Sequence, residues 1–273
     1  MKNQFADLHI HSSFSDGKFS PREILEKAKA AGLSCIAVTD HDCVDALPFL
    51  LKTSPFYSLE IIPAVELTAE FEDIEVHLLG YFINHEKEDF VRRLKELCQA
   101  REERISKMVE KLNAWGIKIS YQEVMETKGE GSVGRLHLAD VLLKNGYVKS
   151  IPEAFQRYIG NRAPCYVERL RLLPAEAVEI IKEAGGIPVV AHPYKMNNDD
   201  LIKKLIKEGI EGIEVYYPEH TPSMSEHYLS LAREYSLLVT GGSDCHGIEK
   251  KKELGSIKIP YSWVEEMKKK VKK

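Results

Sequence analysis

The chain has 273 residues, 44% of them hydrophobic, with 38 basic against 42 acidic side chains and a formal charge of −4. That length suits one large α/β domain carrying an insertion, the apolar fraction is enough for a real core, and the charge balance excludes a global positive field of the kind that draws a protein onto long nucleic acids. The longest apolar runs, GIPVVA and HLLGYFI, are too short to cross a membrane, and strand character begins at Phe5, so the reading is of a cytoplasmic protein with no signal peptide.

In chain order, FADLHIH (5–11) reads as a strand, SPREILEKAKAAG (20–32) as a capped helix stopped at Gly32, and SCIAVTDHD (34–42) as a strand with a polar end. LEIIPAVELTAE (59–70) and IEVHLLGYFI (74–83) read as further strands. The rhythm then breaks: residues 86–116 form a long amphipathic helical pattern, followed by shorter helical pieces at 121–129, 135–146 and 151–160, each with a glycine stop. Strand and helix alternate again in AEAVEIIKEAG, GIPVVAHP, NDDLIKKLIKEG, GIEVYY, SMSEHYLSLAREY and LLVTGGSDCHG, and the terminal KKKVKK reads as a solvated helix end. Roughly seven or eight strands in βα succession favour a parallel, closed or distorted barrel. The expected division is 1–84 and 173–273 as two parts of one barrel, with 85–172 as an all-helical insertion lying over the substrate. Five cysteines without a CxxC pair (Cys35, Cys43, Cys98, Cys165, Cys245) predict reduced thiols rather than a disulfide framework or a thiolate zinc site.

Alternation in LHIH places Leu8 and Ile10 on one strand face and His9 and His11 on the other, where two imidazoles can grip one ion. The pair gains weight because polar ligand types recur at other strand ends: His41 in TDHD, Glu66 after IIPAV, His77 in EVHLL, His192 after IPVVA, and Asp244 with His246 after LLVT. A parallel α/β barrel gathers its strand ends at one mouth, so six of the ten histidines, with Glu66, Asp16 and Asp244, are expected in one cavity. His85, His220 and His227 lack this context and read as surface residues. Imidazole and carboxylate donors without thiolate suit Mn²⁺, Zn²⁺ or Fe²⁺, and their number exceeds what one catalytic ion needs, implying two or three ions.

DLHIHSSFSDG, TDHD, PAVELTA, VHLLGY, AHP and GSDCHG, in this order, resemble the motifs of the PHP (polymerase and histidinol phosphatase) family of metal-dependent phosphoesterases, over roughly residues 5–82 and 186–248. The resemblance implies an α/β fold, a distorted (β/α)7 TIM-like barrel with an inserted helical subdomain. It also implies three metal positions, with Mn²⁺ the favoured ion: His9, His11, Glu66 and Asp244; Glu66, His77 and His192, bridged by Glu66; and Asp16, His41 and His246. Some family members carry histidine where this chain has Asp16. Asp7 is expected to act structurally beside the ligands rather than as one of them.

Gly134 and Arg135 open a helical pattern whose exposed N–H groups favour an anion, and His137 lies one turn on, either as a further donor or packed beside Val141. GRLHLADVL, YIGNRAPCYV, AHPYK and GIEVYYPEHT resemble the branch of nucleoside 3′,5′-bisphosphate phosphatases and related 5′ to 3′ exoribonucleases. That resemblance implies phosphate contacts from Arg135, His137 and Lys195, and a nucleotide or short oligoribonucleotide substrate attacked by metal-bound hydroxide. Arg162, Tyr166, Tyr216 and Tyr217 are candidates for contacts with ribose, phosphate or base, with at most one of the two adjacent tyrosines facing the mouth. Asp42 or metal-bound water is the candidate proton donor to the leaving group. The rival readings are a histidinol phosphatase, an amidohydrolase cleaving C–N bonds, and a non-catalytic PHP module.

Overall fold

A computed structural model describes residues 4–72, 74–128, 131–168, 172–248 and 252–271 of the chain; Gly129 of the expected glycine stop and Lys272 and Lys273 of the terminal lysine run lie outside these. Strand β1 (Phe5–Ile10) leads through a tight turn into α1 (Pro21–Ala30). Ser20 and Glu23 form a reciprocal capping box at its start, with Pro21 in the first turn, and Gly32 leaves it at φ +72°. Next come β2 (Cys35–Val38), α2 (Leu47–Thr53), β3 (Glu60–Ile61), β4 (Ala64–Phe71) and β5 (Ile74–Tyr81). The single strand expected over 59–70 is split because Pro63 has no N–H for a ladder.

The stretch expected to be an insertion carries the helices α3 (Glu88–Ala114), α4 (Tyr121–Thr127), α5 (Arg135–Lys144) and α6 (Ile151–Ala154), the last running into a π turn over Phe155–Ile159. The remaining elements are α7 (Pro174–Glu183), β6 (Ile187–Val190), α8 (Asp199–Lys207), β7 (Gly212–Tyr216), α9 (Pro222–Glu234), β8 (Leu238–Gly241), β9 (Ile259–Pro260) and α10 (Tyr261–Val271). Among the described residues no helix is long and apolar enough to cross a membrane, and all five cysteines are free thiols.

Two sheets result, ordered β3-β2-β1-β9 and β4-β5-β6-β7-β8. They are not uniformly parallel. β4 pairs antiparallel with β5, β5 with β6 and β1 with β9, whereas β1–β2, β2–β3, β6–β7 and β7–β8 are parallel. Only residues 72 and 73 separate β4 from β5, which allows a hairpin and forbids the long crossover that a parallel pair needs. At both seams the sheets meet through single parallel bridges, Ile10 to Cys245 and His41 to Glu66. Both bridges lie beside the polar residues singled out above.

Among the described residues three apolar clusters form the core. Ala6, Leu8, Leu79, Tyr81 and Val189 belong to the one enclosed by the strands, while Ile10, Ile24, Ile36, Leu78 and Ile213 belong to the one under the outer helices. The third, including Met108, Leu112, Leu138 and Leu142, is the insertion's own. Helix α3 is shared: Phe90, Leu94 and Leu97 pack into the outer-helix cluster, and Ile105, Met108, Val109 and Leu112 into that of the insertion.

Candidate metal centre

The pairing of β1 with β2 shifts register between Asp7 and Ile10, so Leu8 and Ile10 do not share a face as simple alternation requires; they enter different apolar clusters. The irregularity leaves His9 and His11 adjacent, with ring centroids 5.2 Å apart. From there a closed circuit of imidazoles runs His11 to His41 (4.7 Å), His41 to His77 (5.1 Å), His77 to His192 (5.0 Å) and His192 to His9 (5.7 Å), with His246 stacked on His11 at 4.1 Å. All six strand-end histidines therefore meet.

Glu66 serves both sides of this circuit. Its Oε1 lies 2.7 Å from His77 Nδ1 and 3.2 Å from His192 Nε2, and its Oε2 lies 3.0 Å from His11 Nε2, 3.3 Å from His9 Nε2 and 3.5 Å from His41 Nδ1. Asp244 Oδ1 approaches His9 Nε2 at 3.4 Å and His11 Nε2 at 3.3 Å, and Asp16 Oδ1 approaches His246 Nε2 at 3.2 Å. Ligand atoms within 4.8 Å of one another group as His11, Asp16, His41 and His246; His9, His11 and Asp244; His9, Glu66 and His192; and His41, Glu66 and His77. The donor set fits divalent ions: thiolates are absent from these groups, and His11 Nδ1 and Asp16 Oδ1, 3.7 Å apart, are buried with no hydrogen-bond partner.

Several residues hold these side chains in place. Asp40 accepts from Ser12 N (2.7 Å), Ser12 Oγ (2.6 Å) and Ser15 Oγ (2.6 Å), pinning the turn that carries Asp16. That turn needs Gly17, where a Cβ would lie 2.3 Å from the carbonyl oxygen of His11. Asp7 accepts from the backbone N–H of Ser243 and Gly255 and is pushed up to about 6 by its burial, and it belongs to none of the four groups of ligand atoms. Glu214, fully buried on β7, lies 2.9 Å from His9 Nδ1 and accepts from His192 N at 2.7 Å. Sequence reading passed over Glu214 and Asp40; the signal available was a charged residue inside an otherwise apolar strand or at its end. His192 and Asp244 sit at φ +26° and +49°, left-handed conformations of the kind that clusters at functional sites.

Burial alone lowers an imidazole and raises a carboxylate. Against that burial, Glu214, Glu66 and Asp244 hold His9 well above the ordinary histidine value, and Asp244, Glu66 and Asp16 push His11 up to about 10. His77 also rises against its burial, beside Glu66 and Glu75. Burial wins at His41, which falls to about 3, and at His192, where Lys195 adds to it. Although burial opposes it, the surrounding imidazoles hold Glu66, Asp16 and Asp244 well below the carboxylate range.

Beside the imidazoles lies a cavity of about 240 Å³, lined by Asp16, His41 and His77 and also by Arg101, Arg104 and Arg135. Arg101 and Arg104 come from α3 and were not anticipated, since two arginines in a charged helix look like a solvated face. Arg101 Nε donates to Asp42 Oδ2 at 2.5 Å and its Nη2 to Thr68 Oγ1 at 2.8 Å. Asp42 is thus the ion-pair partner of an arginine rather than the proton donor considered from the sequence. The Tyr166 ring packs against both Arg104 and Arg135, 5.2 and 5.9 Å from their guanidinium carbons, and does not itself line the cavity.

Three further expectations need correction. His137 turns inward, 4% exposed, and its Nδ1 accepts from Gly134 N at 3.0 Å as a helix cap, so it does not line this cavity. His220 is not a surface residue: its Nδ1 lies 2.8 Å from the Val215 carbonyl, and its ring packs against Tyr194, Tyr217 and Tyr228. Arg162 is an exposed turn residue at φ +68° and does not line the cavity. Of the tyrosine pair one faces the centre, as expected: Tyr217 donates to Asp244 Oδ2 at 2.7 Å, while Tyr216 packs on Trp263. Lys195 Nζ lies 3.7 Å from the same oxygen and lines a neighbouring cavity with His77, His192 and Arg135. His85 is half-buried and His227 is half-exposed, paired with Asp199 at 2.9 Å.

The PHP domain family model matches residues 7–160 of this chain. A 3′,5′-nucleoside bisphosphate phosphatase of Chromobacterium violaceum is 31% identical over 88% of this chain and 86% of its own. A 5′-3′ exoribonuclease of Haemophilus influenzae is 29% identical over 95% of this chain and 92% of its own. Among solved structures, an inferred metal-dependent phosphoesterase of Bifidobacterium adolescentis superposes with a TM-score of 0.89 at 30% identity, covering 97% of this chain and 95% of that one. An amidohydrolase of Chromobacterium violaceum, solved with bound sulfate and no metal, superposes with a TM-score of 0.87 at 27% identity, covering 97% and 96%.

Proposed function

The chain belongs to the PHP domain family, and on that premise we propose that it is a metal-dependent phosphoesterase whose preferred substrate is the 3′-phosphate of nucleoside 3′,5′-bisphosphates, with short 5′-phosphorylated oligoribonucleotides as secondary substrates. The observation that carries the reading is the shared cavity: three arginines line the same space as Asp16, His41 and His77. A substrate with two phosphates can meet metal ligands with one and guanidinium groups with the other.

His9, His11, Glu66 and Asp244 would hold a first ion, Glu66, His77 and His192 a second, and Asp16, His41 and His246 a third. The two oxygens of Glu66, one toward His77 and His192 and the other toward His9 and His11, support its bridging role. Divalent ions there, Mn²⁺ by preference, supply water activation near neutral pH and charge neutralisation on phosphoryl oxygens. Arg101, Arg104 and Arg135 bind and orient the anionic substrate. Tyr166 packs against the guanidinium groups of Arg104 and Arg135 and steadies both. Lys195, beside Asp244 and in one cavity with His77, His192 and Arg135, supplies a further cation to phosphate.

For the architecture we propose a distorted (β/α)7 barrel of β1, β2 and β4–β8, closed at the Ile10–Cys245 and His41–Glu66 seams. Segments 1–84 and 173–273 form it and 85–172 is the insertion, with α3 common to both. Free thiols throughout fit a reducing compartment, and we assign the protein to the cytoplasm.

The test is phosphate release by Mn²⁺-loaded protein from adenosine 3′,5′-bisphosphate, beside 5′-AMP, histidinol phosphate and a short 5′-phosphorylated RNA. Selective release of the 3′-phosphate, abolished by chelation, supports the reading. Turnover of histidinol phosphate in preference to the bisphosphate keeps the metal centre and overturns the substrate.

A further inference from the structure

We propose that Glu75 is a positioning residue that ties the helical insertion to the metal centre: it fixes the ring of His77, and Arg135 in turn fixes Glu75. The inference rests on the reading of His77 as a metal ligand.

Glu75 and His77 are two residues apart on β5, so strand alternation puts both side chains on one face. The His77 ring is held between two carboxylates. Its Nε2 lies 2.9 Å from Glu75 Oε1 and its Nδ1 lies 2.7 Å from Glu66 Oε1. An ionised carboxylate can only accept, so each of the two can hold a ring proton, and an ion shared by Glu66 and His77 would take the place of the proton on Nδ1. Glu75 then fixes the remaining proton on Nε2 and the orientation of the ring, and without it that proton and the ring angle lose their partner.

The second oxygen of Glu75 accepts from Arg135 Nη2 at 3.1 Å. Arg135 itself is over-determined: Nη1 donates to Asn161 Oδ1 at 2.8 Å, and its guanidinium carbon lies 5.5 Å from the Phe155 ring and 5.9 Å from that of Tyr166. All of these partners belong to the insertion, whereas Glu75, His77 and Glu66 belong to the β4–β5 hairpin. Asn161, Arg135, Glu75, His77 and Glu66 thus form an unbroken line of polar contacts from one unit to the other. Arg135 therefore has two tasks, holding substrate phosphate and steadying a ligand, and the position of the insertion is felt at the ion.

The test is Mn²⁺ binding to wild-type protein, Glu75→Ala, Arg135→Ala, His77→Ala and the Glu75→Ala/His77→Ala double variant, with ions counted after dialysis and folding checked by thermal melting. His77→Ala identifies the ion that depends on the ring. Glu75→Ala should weaken that same ion roughly 10- to 100-fold and leave the others unchanged, as the loss of an orienting partner does elsewhere. Arg135→Ala should weaken it by a smaller factor, and adding Glu75→Ala to His77→Ala should cost no further ion. Wild-type binding by Glu75→Ala, or an equal weakening of every ion, overturns the proposal. Full metal content in His77→Ala overturns the ligand reading beneath it, and the proposal falls with it.

Discussion

Glu214→Gln is a nearly isosteric change in a fully buried site, and the structure predicts that it weakens metal binding while leaving the fold intact. Glu214 satisfies two groups at once, His9 Nδ1 at 2.9 Å and the backbone N–H of His192 at 2.7 Å. A glutamine has only one oxygen to offer. If that oxygen stays on His192 N, the amide NH₂ points at His9 Nδ1, which must then accept, and the ring proton moves to Nε2. That nitrogen faces Glu66 Oε2 at 3.3 Å and Asp244 Oδ1 at 3.4 Å, where the ion is to bind. If instead the amide flips, the His9 tautomer is kept but the buried His192 N–H is left unpaired, at a cost of about 1–3 kcal/mol to the fold with or without the ion. The first route is therefore the cheaper one, and it weakens the ion held by His9 by roughly 10- to 100-fold, equivalent to about 1.4–2.7 kcal/mol. Equilibrium dialysis against buffered free Mn²⁺ measures the loss, and thermal melting of the ion-free protein checks the fold. Unchanged affinity in a normally folded Glu214→Gln protein would refute the tautomer argument.

Metal uptake should tighten as pH rises. His11 is raised to about 10 in the ion-free protein, so its charge supports that form fully below its ordinary value of 6.5, and the support is lost as pH climbs through the folded value. An ion must displace the proton, so proton release at pH 7–8 and an affinity rising about tenfold per pH unit for each proton displaced are expected in calorimetry across buffers of different ionisation enthalpy. Gly17→Ala places a Cβ 2.3 Å from the His11 carbonyl and should cost about 1–3 kcal/mol in denaturant unfolding, with selective loss of the ion held by Asp16. Arg101→Ala and Arg104→Ala should both raise KM for the bisphosphate. Denaturant melts should separate them: the first strands the buried Asp42 carboxylate at a cost of about 3 kcal/mol, the second loses a bond to the Val167 carbonyl at about 1 kcal/mol.

His41, His192 and His246 were legible because each follows an apolar run, a local pattern that needs no knowledge of distant pairing, whereas His9 and His77 lie inside β1 and β5 between apolar neighbours rather than at strand ends. The antiparallel pairs around β5 were not, since an apolar alternation says nothing of the direction of its neighbour; only the two-residue gap before Ile74 held that information. Strand β9 was invisible for a related reason. Two residues, Ile259 and Pro260, have no period, and they become a strand only because β1 offers them an edge. His137 was misplaced because a histidine three residues past a helix cap can turn outward to a ligand or back to the cap, and the sequence is the same in both cases. Arg101 looked like one charge among many in α3 until the fold brought Asp42 beneath it.

Helix α3 passes between apolar clusters with Leu97 rooted in one and Ile105 in the other, and Arg101 and Arg104 lie in the interval. A helix turns about 100° with each residue. The spacing between those two anchors therefore acts as an angular index for everything the insertion carries. Adding or deleting one residue between positions 97 and 105 would keep both clusters' sequences intact, yet it would swing the whole helical unit by about a quarter of a revolution and take Arg135 off the mouth. Grafting the insertion of one relative onto the barrel of another should tolerate wide differences in surface and length elsewhere, and none in the residue count of that short stretch.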